Sequence, residues 1–206
     1  MIEPALAGLA AARAATLDLL APLSQAQLEF SPAPGRWSIG ETADHVLLAE
    51  SLYRDEIARL IDLARAGRRP YLKRSFSDVD VAPLHLPTPL LSLLEAPIAL
   101  AGRFVPDALR SLVTEFPVVP TRHPARASPR PGRGRAELCE ALARGLSETS
   151  ALLAGNRDLD FAAMISEHPL MGASTVPAIV HFLALHERRH QGQMDRVRRD
   201  PGFPRT

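Results

Sequence analysis

Residues 176–197, near the C-terminus, constrain the fold most strongly, because they have the periodicity of a helix with one face in a protein core. One stripe runs along this helix at spacings of three and four residues: Val176, Ile179, Leu183, His186, His190, Gln193 and Val197. His186 and His190 lie one turn apart at positions where core side chains are expected. Two imidazoles at this spacing can bind one metal ion. The stripe therefore predicts a metal site inside a helical protein, with two hydrogen-bonded core histidines as the alternative.

Composition limits the class of protein. The 206 residues suffice for one core with an insertion, and 46% hydrophobic with 23% charged residues is ordinary for a globular protein. A net charge of +1 gives no general attraction to nucleic acid, and the basic stretches 126–135 and 196–205 are interpreted as solvated loop and tail. The single cysteine, Cys139, is interpreted as a small core thiol. Because there is no internal disulfide, secretory leader or membrane-spanning run, we expect a cytoplasmic protein.

Four long helical patterns and no convincing strand predict an all-α fold, an up-down four-helix bundle. The predicted helices are Pro4 to about Leu20, about Ile39 to about Ala66, Arg135 to Ala154, and about Val176 to Val197, with a short helical piece at 24–28. Ser38 and Glu41 have the spacing of a capping box, and Gly67 is expected to end the second long helix. The whole chain, 1–206, is interpreted as one domain.

A proline-rich insertion, about 68–133, separates the second and third long helices. Leu90 to Leu94 and Asp107 to Glu115 are predicted to form short helices, and 121–135 to form an exposed connection. The apolar stretch 84–104 could cover one end of the bundle or contact a partner, so a homodimer is compatible with the sequence. The sequence leaves the oligomeric state and the role of the insertion open.

The residues His186 to His190 match the H-E-x-x-H motif of zinc peptidases, in which Glu187 would be the general base. The extended peptidase motif requires glycine three residues after His190, where this chain has Gln193. No glutamate follows Glu187, so a downstream glutamate ligand is missing. We therefore disfavour a peptidase and interpret Glu187 as an exposed helix residue.

A metal needs at least one further ligand. The candidates are His45, His85, His123, His168 and His181. His181 is about 140° around the helix from His186, and three others lie in loops or beside proline. His45 lies on a predicted helix near its inward face, as in metal sites built between facing helices. Three imidazoles would leave a coordination position open, which is typical of a catalytic zinc site.

Three motifs together resemble the DinB-like superfamily, which includes the DinB/YfiT-type metalloenzymes. They are Gly35 to Glu41 followed by Asp44-His45, then His168 to Gly172, then His186 to Gln193. The similarity covers the first two and the last two long helices. It implies a four-helix bundle with a three-histidine divalent metal site whose ligands are His45, His186 and His190. It also implies that Gln193 supports the ligands or the local structure.

The resemblance implies a chemistry as well. Members of this superfamily include transferases and isomerases that depend on low-molecular-weight thiols such as mycothiol or bacillithiol, and others are hydrolases. We therefore expect a divalent metal, zinc or nickel, and a thiol co-substrate in an S-transferase or hydrolase acting on a small electrophilic molecule. The alternative is a non-catalytic metal-binding protein with a stress-related or binding role. Glu41, one turn before His45, is expected to orient its ring or to act only in the capping box.

Overall fold

The computed structural model describes residues 2–74, 127–168 and 172–205. The predicted helices at 90–94 and 107–115, the apolar stretch 84–104, His85 and His123 lie outside the described residues. The helices are α1 (Glu3–Leu20), α2 (Gln25–Glu29), α3 (Ile39–Arg65), α4 (Arg135–Ala154) and α5 (Val176–Arg198), and the strands are β1 (Tyr71–Lys73), β2 (Ile165–His168) and β3 (Gly172–Thr175). The fold is therefore mostly helical with one small sheet.

The ends of α3 follow the local chemistry that the sequence predicts. The Ser38 side chain accepts a hydrogen bond from the Glu41 backbone N–H at 3.1 Å, and the Glu41 carboxylate accepts one from the Ser38 N–H at 2.9 Å. This capping box satisfies donors that a helix start leaves without intrahelical partners. Gly67 has φ 66°, a left-handed conformation that glycine adopts without strain, just after the helix ends. The predicted limits of α3 are confirmed.

The four long helices pack in a ring, with α1 and α3 each contacting both α4 and α5. Their apolar faces form two buried clusters. The first is built around Leu9, Leu60, Leu153 and Leu183, and the second around Leu20, Ile39, Leu142 and Met194. Burying one such side chain stabilises the fold by about 1.5–3 kcal/mol. Along each helix, buried polar residues lie between the two clusters.

The direction of α4 differs from the prediction. The first cluster holds the N-terminal halves of α1 and α5 together with the C-terminal ends of α3 and α4. Helices α3 and α4 therefore run in the same direction, whereas a strictly alternating up-down order would make them antiparallel. Helix α4 begins near the start of α3, because Arg130 and Arg133, just before α4, bind Asp44 in the second turn of α3. The strict up-down prediction is wrong for this pair of helices.

The small sheet also differs from the prediction of no strand. Its order is β1-β2-β3, with Tyr71 of β1 paired in parallel with Ile165 of β2, and Ile165 paired in antiparallel with Thr175 of β3. The sheet joins the end of α3 to the segment that enters α5. Across the described residues, no helix combines the length and the apolarity needed to cross a bilayer.

Candidate metal centre

Three histidines converge between α3 and α5. His45 comes from α3, and His186 and His190 come from successive turns of α5. One nitrogen from each ring lies within 4.8 Å of the other two, and Nε2 of His186 is 3.2 Å from Nε2 of His190. The ring centroid of His45 is 5.2 Å from that of His186 and 4.8 Å from that of His190. The predicted trio is brought together by the packing of the two helices.

The rings are held from outside by oxygen acceptors. Nδ1 of His45 is 2.8 Å from the backbone oxygen of Ala127, and Nδ1 of His190 is 3.0 Å from Oε1 of Gln193. Because both oxygens can only accept, each Nδ1 carries the proton and each Nε2 keeps its lone pair. An outer acceptor of this kind fixes the tautomer of a metal-ligating histidine. Gln193 therefore contacts a ring of the trio, and its role in supporting a metal ligand stays a prediction.

One pair of nitrogens in the trio has the separation that a divalent ion requires. Ligation at about 2.1 Å in tetrahedral geometry places ligand nitrogens about 3.4 Å apart. The separation of 3.2 Å between the two α5 histidines meets this requirement. Without a metal these two Nε2 atoms are within hydrogen-bonding distance, so a cation bound at their common point would take the place of a proton shared between them. The residues present could hold zinc, nickel or another metal that accepts imidazole.

Burial keeps the α5 histidines neutral. Desolvation lowers the pKa of His186 well below 6.5, and the neighbouring His190 and His45 lower it further. Desolvation also lowers the pKa of His190 to about 3, with His45 and Arg189 acting in the same direction and the hydrogen bond to Gln193 opposing them. A metal competes with protons for the imidazole lone pair, so neutral rings are ready to ligate at physiological pH.

Aromatic side chains flank the trio. The Trp37 ring lies 4.8 Å from that of His45, and the Phe182 ring stacks on His186 at 5.7 Å. The Tyr53 ring continues this wall 5.2 Å from Phe182, and burial raises the pKa of Tyr53. Trp37 directly precedes the capping box of α3. The candidate site therefore lies beside a group of aromatic side chains.

The other described histidines take no part in this group. His181 is exposed on α5, which agrees with its predicted direction. His168 lies in β2, and burial, with a smaller contribution from Arg74, lowers its pKa to about 4. The Glu41 carboxylate accepts from Ser38 in the capping box, while the acceptor on Nδ1 of His45 is Ala127. A second role of Glu41 on the His45 ring stays a prediction.

Glu187 is not the exposed residue that the sequence suggested. Its side chain is 1% exposed and accepts from Arg13 Nε at 2.8 Å and from Thr16 Oγ1 at 2.6 Å. It therefore faces α1 and is bound within an ion pair. A zinc-peptidase base must reach water at the metal, so this position argues further against a peptidase.

Arg13 is at the centre of a buried polar network that the sequence reading missed. Its guanidinium also donates to Glu50 Oε2 at 2.7 Å and to the Leu142 carbonyl, while Thr149 donates to Glu50 at 2.8 Å. Both carboxylates of the network are 1% exposed. All four long helices contribute to it, because each supplies one of these groups. The sequence signal that could have revealed this network was a charged residue, such as Arg13, at a core position of an apolar helix stripe.

The segment 127–134, which leads into α4, was expected to be an exposed, solvated connection. Ala127 is buried, and Arg133 is only 13% exposed. Asp44, which is fully buried, accepts from the Arg130 backbone N–H at 2.8 Å, from Arg130 Nη2 at 2.9 Å, and from Arg133 Nη1. Burial opposes ionisation of Asp44, but the hydrogen bonds from Arg130 and Arg133 prevail and lower its pKa. The segment is therefore tied to α3 through Ala127, Arg130 and Arg133, while Ser128, Arg130, Pro131 and Gly132 are exposed as expected.

Cys139 lies half-buried on α4 against the second apolar cluster. Burial raises the pKa of its thiol, and Arg135 opposes the shift only in part. A thiol with a raised pKa is a poor nucleophile at neutral pH. This environment agrees with the interpretation of Cys139 as a packing residue.

The fold and site define a class: mostly helical proteins that could hold a metal ion between two helices through three histidines. The family model of the DinB superfamily matches residues 9–194, which is most of the chain. The protein belongs to the DinB superfamily. No curated protein and no solved structure matches it significantly.

Proposed function

We propose that this protein is a divalent-metal-dependent enzyme, an S-transferase that uses a low-molecular-weight thiol or a hydrolase, acting on a small electrophilic molecule. The observation that carries the proposal is the convergence of three imidazole nitrogens within 4.8 Å, with outer acceptors on His45 and His190. The metal would be held by Nε2 of His45, His186 and His190. Zinc and nickel are the proposed ions, since both accept imidazole ligands.

The proposed roles follow from the site. A divalent ion bound by three neutral nitrogens lowers the pKa of a thiol or water beside it, which supplies the nucleophile. The chain's own residues fix the ligand tautomers through Ala127 and Gln193, and Phe182 and Trp37 exclude water from one side. Membership of the DinB superfamily supports a metal site, and the thiol co-substrate is the finer part of the proposal.

The proposal extends to the architecture. We infer one domain over residues 1–206, built as a four-helix bundle from α1, α3, α4 and α5, because the family match runs from 9 to 194 and spans the insertion. The cytoplasmic location and the homodimer stay predictions.

Metal analysis tests the base of the proposal. Purified protein, stripped with a chelator and reloaded with Zn²⁺ or Ni²⁺, is expected to retain about one ion per chain. His190→Gln should weaken binding by more than about tenfold, because it removes a ligand. His181→Gln is the matched control, since this exposed histidine lies on the same helix and should leave binding unchanged. Wild-type protein that takes up no stoichiometric metal would refute the enzyme hypothesis.

A thermal-shift series then separates the functions. Mycothiol or bacillithiol is expected to raise the melting temperature of the zinc-loaded protein but not of the metal-free protein, because a ligand stabilises only the state that binds it. The S-methylated thiols are the controls. A response to neither thiol, with turnover of activated esters, would favour hydrolysis. Stoichiometric metal with neither response would favour the non-catalytic alternative.

A further inference from the structure

Two consecutive residues of α3 hold one short segment of chain. Asp44 accepts three hydrogen bonds from Arg130, one of them from its backbone N–H at 2.8 Å, and another from Arg133 Nη1. The next residue, His45, donates from Nδ1 to the carbonyl oxygen of Ala127 at 2.8 Å. Only Ser128 and Pro129 lie between Ala127, whose carbonyl contacts His45, and Arg130, whose backbone N–H binds Asp44. The two contacts therefore fix this stretch at both ends.

We propose that Asp44 is a positioning residue for the metal centre, acting through Arg130 and Arg133. It holds the Ala127 carbonyl on Nδ1 of His45, and this keeps the proton of the neutral ring on Nδ1 and the lone pair on Nε2. The inference rests on the proposed metal site for its functional meaning, but the tautomer of His45 is a property of the metal-free chain as well.

The burial pattern supports this role. Asp44 is fully buried, and a buried carboxylate is tolerated only where charged or hydrogen-bonding partners surround it. Both of its oxygens are used: Oδ2 by the backbone N–H and Nε of Arg130, and Oδ1 by Nη groups of both arginines. Ala127 is 1% exposed, so its carbonyl lies against the site rather than in solvent.

The sequence of the segment favours a single path. Pro129 and Pro131 flank Arg130, and proline fixes its own φ and restricts the residue before it. Gly132 has φ 77°, a left-handed turn that brings Arg133 back toward Asp44. A segment with these constraints has few alternative conformations. If the contacts with Asp44 are lost, we therefore expect Arg130 and the Ala127 carbonyl to move together, away from their positions beside α3.

A purely structural role makes a different prediction. If Asp44 only secured the start of α4, its loss would lower stability while leaving the His45 ring in the same tautomer. The decisive measurement is therefore the protonation pattern of the imidazole nitrogens. Two-bond ¹H–¹⁵N spectra of metal-free protein distinguish an Nδ1–H from an Nε2–H ring, and His45→Asn assigns the signal.

The test compares Asp44→Asn with Glu137→Gln in the metal-free protein. Glu137 is the exposed second partner of Arg133, so its substitution leaves the bonds to Asp44 in place. Wild type and Glu137→Gln are expected to show an Nδ1–H His45, and Asp44→Asn a mixture or the Nε2–H form. An unchanged Nδ1–H ring in folded Asp44→Asn would overturn the proposal. Should Asp44→Asn fail to fold, Arg130→Gln serves: Arg130 is 60% exposed, its substitution removes two of the bonds to Asp44, Asp44 keeps Arg133 as its cation, and a partial shift toward the Nε2–H form is expected.

Metal affinity provides the second measurement. Competition with a chromogenic zinc chelator is expected to give a Kd about 10–100-fold weaker for Asp44→Asn and unchanged for Glu137→Gln, as for other residues that orient metal ligands. If wild type binds no zinc, the proposed function fails, while the tautomer result still decides the role of Asp44. If wild type and Asp44→Asn bind zinc equally, the proposed function stands and the positioning role is refuted.

Discussion

Replacing Arg13 with methionine tests whether the buried network holds the four long helices together. The Arg13 side chain is 1% exposed and pairs with Glu50 at 2.7 Å and with Glu187 at 2.8 Å. Methionine has a similar length but no charge. Arg13→Met therefore leaves two carboxylates in the core, where Thr149 and Thr16 remain as hydrogen-bond donors but no cation among the described residues is bonded to either carboxylate.

The expected cost is large. Breaking a buried ion pair by removing one partner costs about 3–5 kcal/mol, because the remaining charge is uncompensated. Here one substitution strands two carboxylates, so we expect a loss at or above the middle of that range, about 4 kcal/mol. The total unfolding free energy of a domain is about 5–15 kcal/mol. Arg13→Met should therefore remove a substantial fraction of the stability.

Urea denaturation followed by circular dichroism at 222 nm, with chelator present, measures this loss. Arg54→Met is the matched control, because Arg54 pairs with the half-exposed Glu148 and such pairs contribute about 0–1 kcal/mol. Adding Glu50→Gln and Glu187→Gln to Arg13→Met should recover part of the loss, since no buried charge remains. A single variant as stable as the control, or a triple variant with additive losses, would refute the charge argument.

Three further predictions concern the helices and the site. In metal-free protein, burial lowers the pKa of His190 from 6.5 to about 3, so the unfolded chain binds more protons between these values and stability rises with pH there. His190→Gln should flatten this dependence by up to about 1.4 kcal/mol per pH unit, measured by urea titrations from pH 4.5 to 7. Gly145→Ala should destabilise by about 1–3 kcal/mol, because a methyl group there meets Glu50 Oε2 at 3.1 Å and must displace it. A melting curve equal to wild type would contradict this. Ser38→Ala should cost about 1 kcal/mol by removing the cap of α3, with Ser38→Gly much closer to wild type, and equal losses in both would argue against capping.

The long helices and the histidine trio could be predicted because their signals are local. The stripe of α5 and the capping box of α3 depend on residues within a few turns of one another. His45 lies on the pattern of α3 and the late histidines lie on the pattern of α5. The family resemblance linked these two local signals into one predicted ligand set. These elements are governed by the helical period, which a single sequence displays directly.

The Arg13 network was missed although its members interrupt apolar stripes in the same way. On α3, the apolar stripe includes Val46 and Tyr53. Glu50 lies on the same stripe between them, four residues after Val46 and three before Tyr53. On α1, Arg13 follows Leu9 by four residues. A single charge on a stripe is usually read as a break in the pattern, and only the packing of α1 against α5 identifies its partner.

Local signals in the sequence could not predict the direction of α4 or the sheet. The connection between α3 and α4 is long enough for α4 to begin at either end of α3, so the sequence does not determine the direction of α4. The strands have three or four residues each, which is too short for a clear alternating pattern. Their pairing follows from the path of the chain, because β1 leaves α3 at the end where β2 and β3 lead into α5.

The H-E-x-x-H sequence of α5 encodes two sites in this fold. Successive residues of a helix point about 100° apart, so Glu187 cannot face the same neighbour as His186. With α5 packed between α1 and α3, the histidines face His45 on α3 and the glutamate faces Arg13 on α1. Any rotation of α5 about its axis would move the histidines away from His45 and Glu187 away from Arg13 together. The ion pair with Arg13 therefore also fixes the rotation at which the histidines converge, and it links the stability of the core to the geometry of the candidate metal centre.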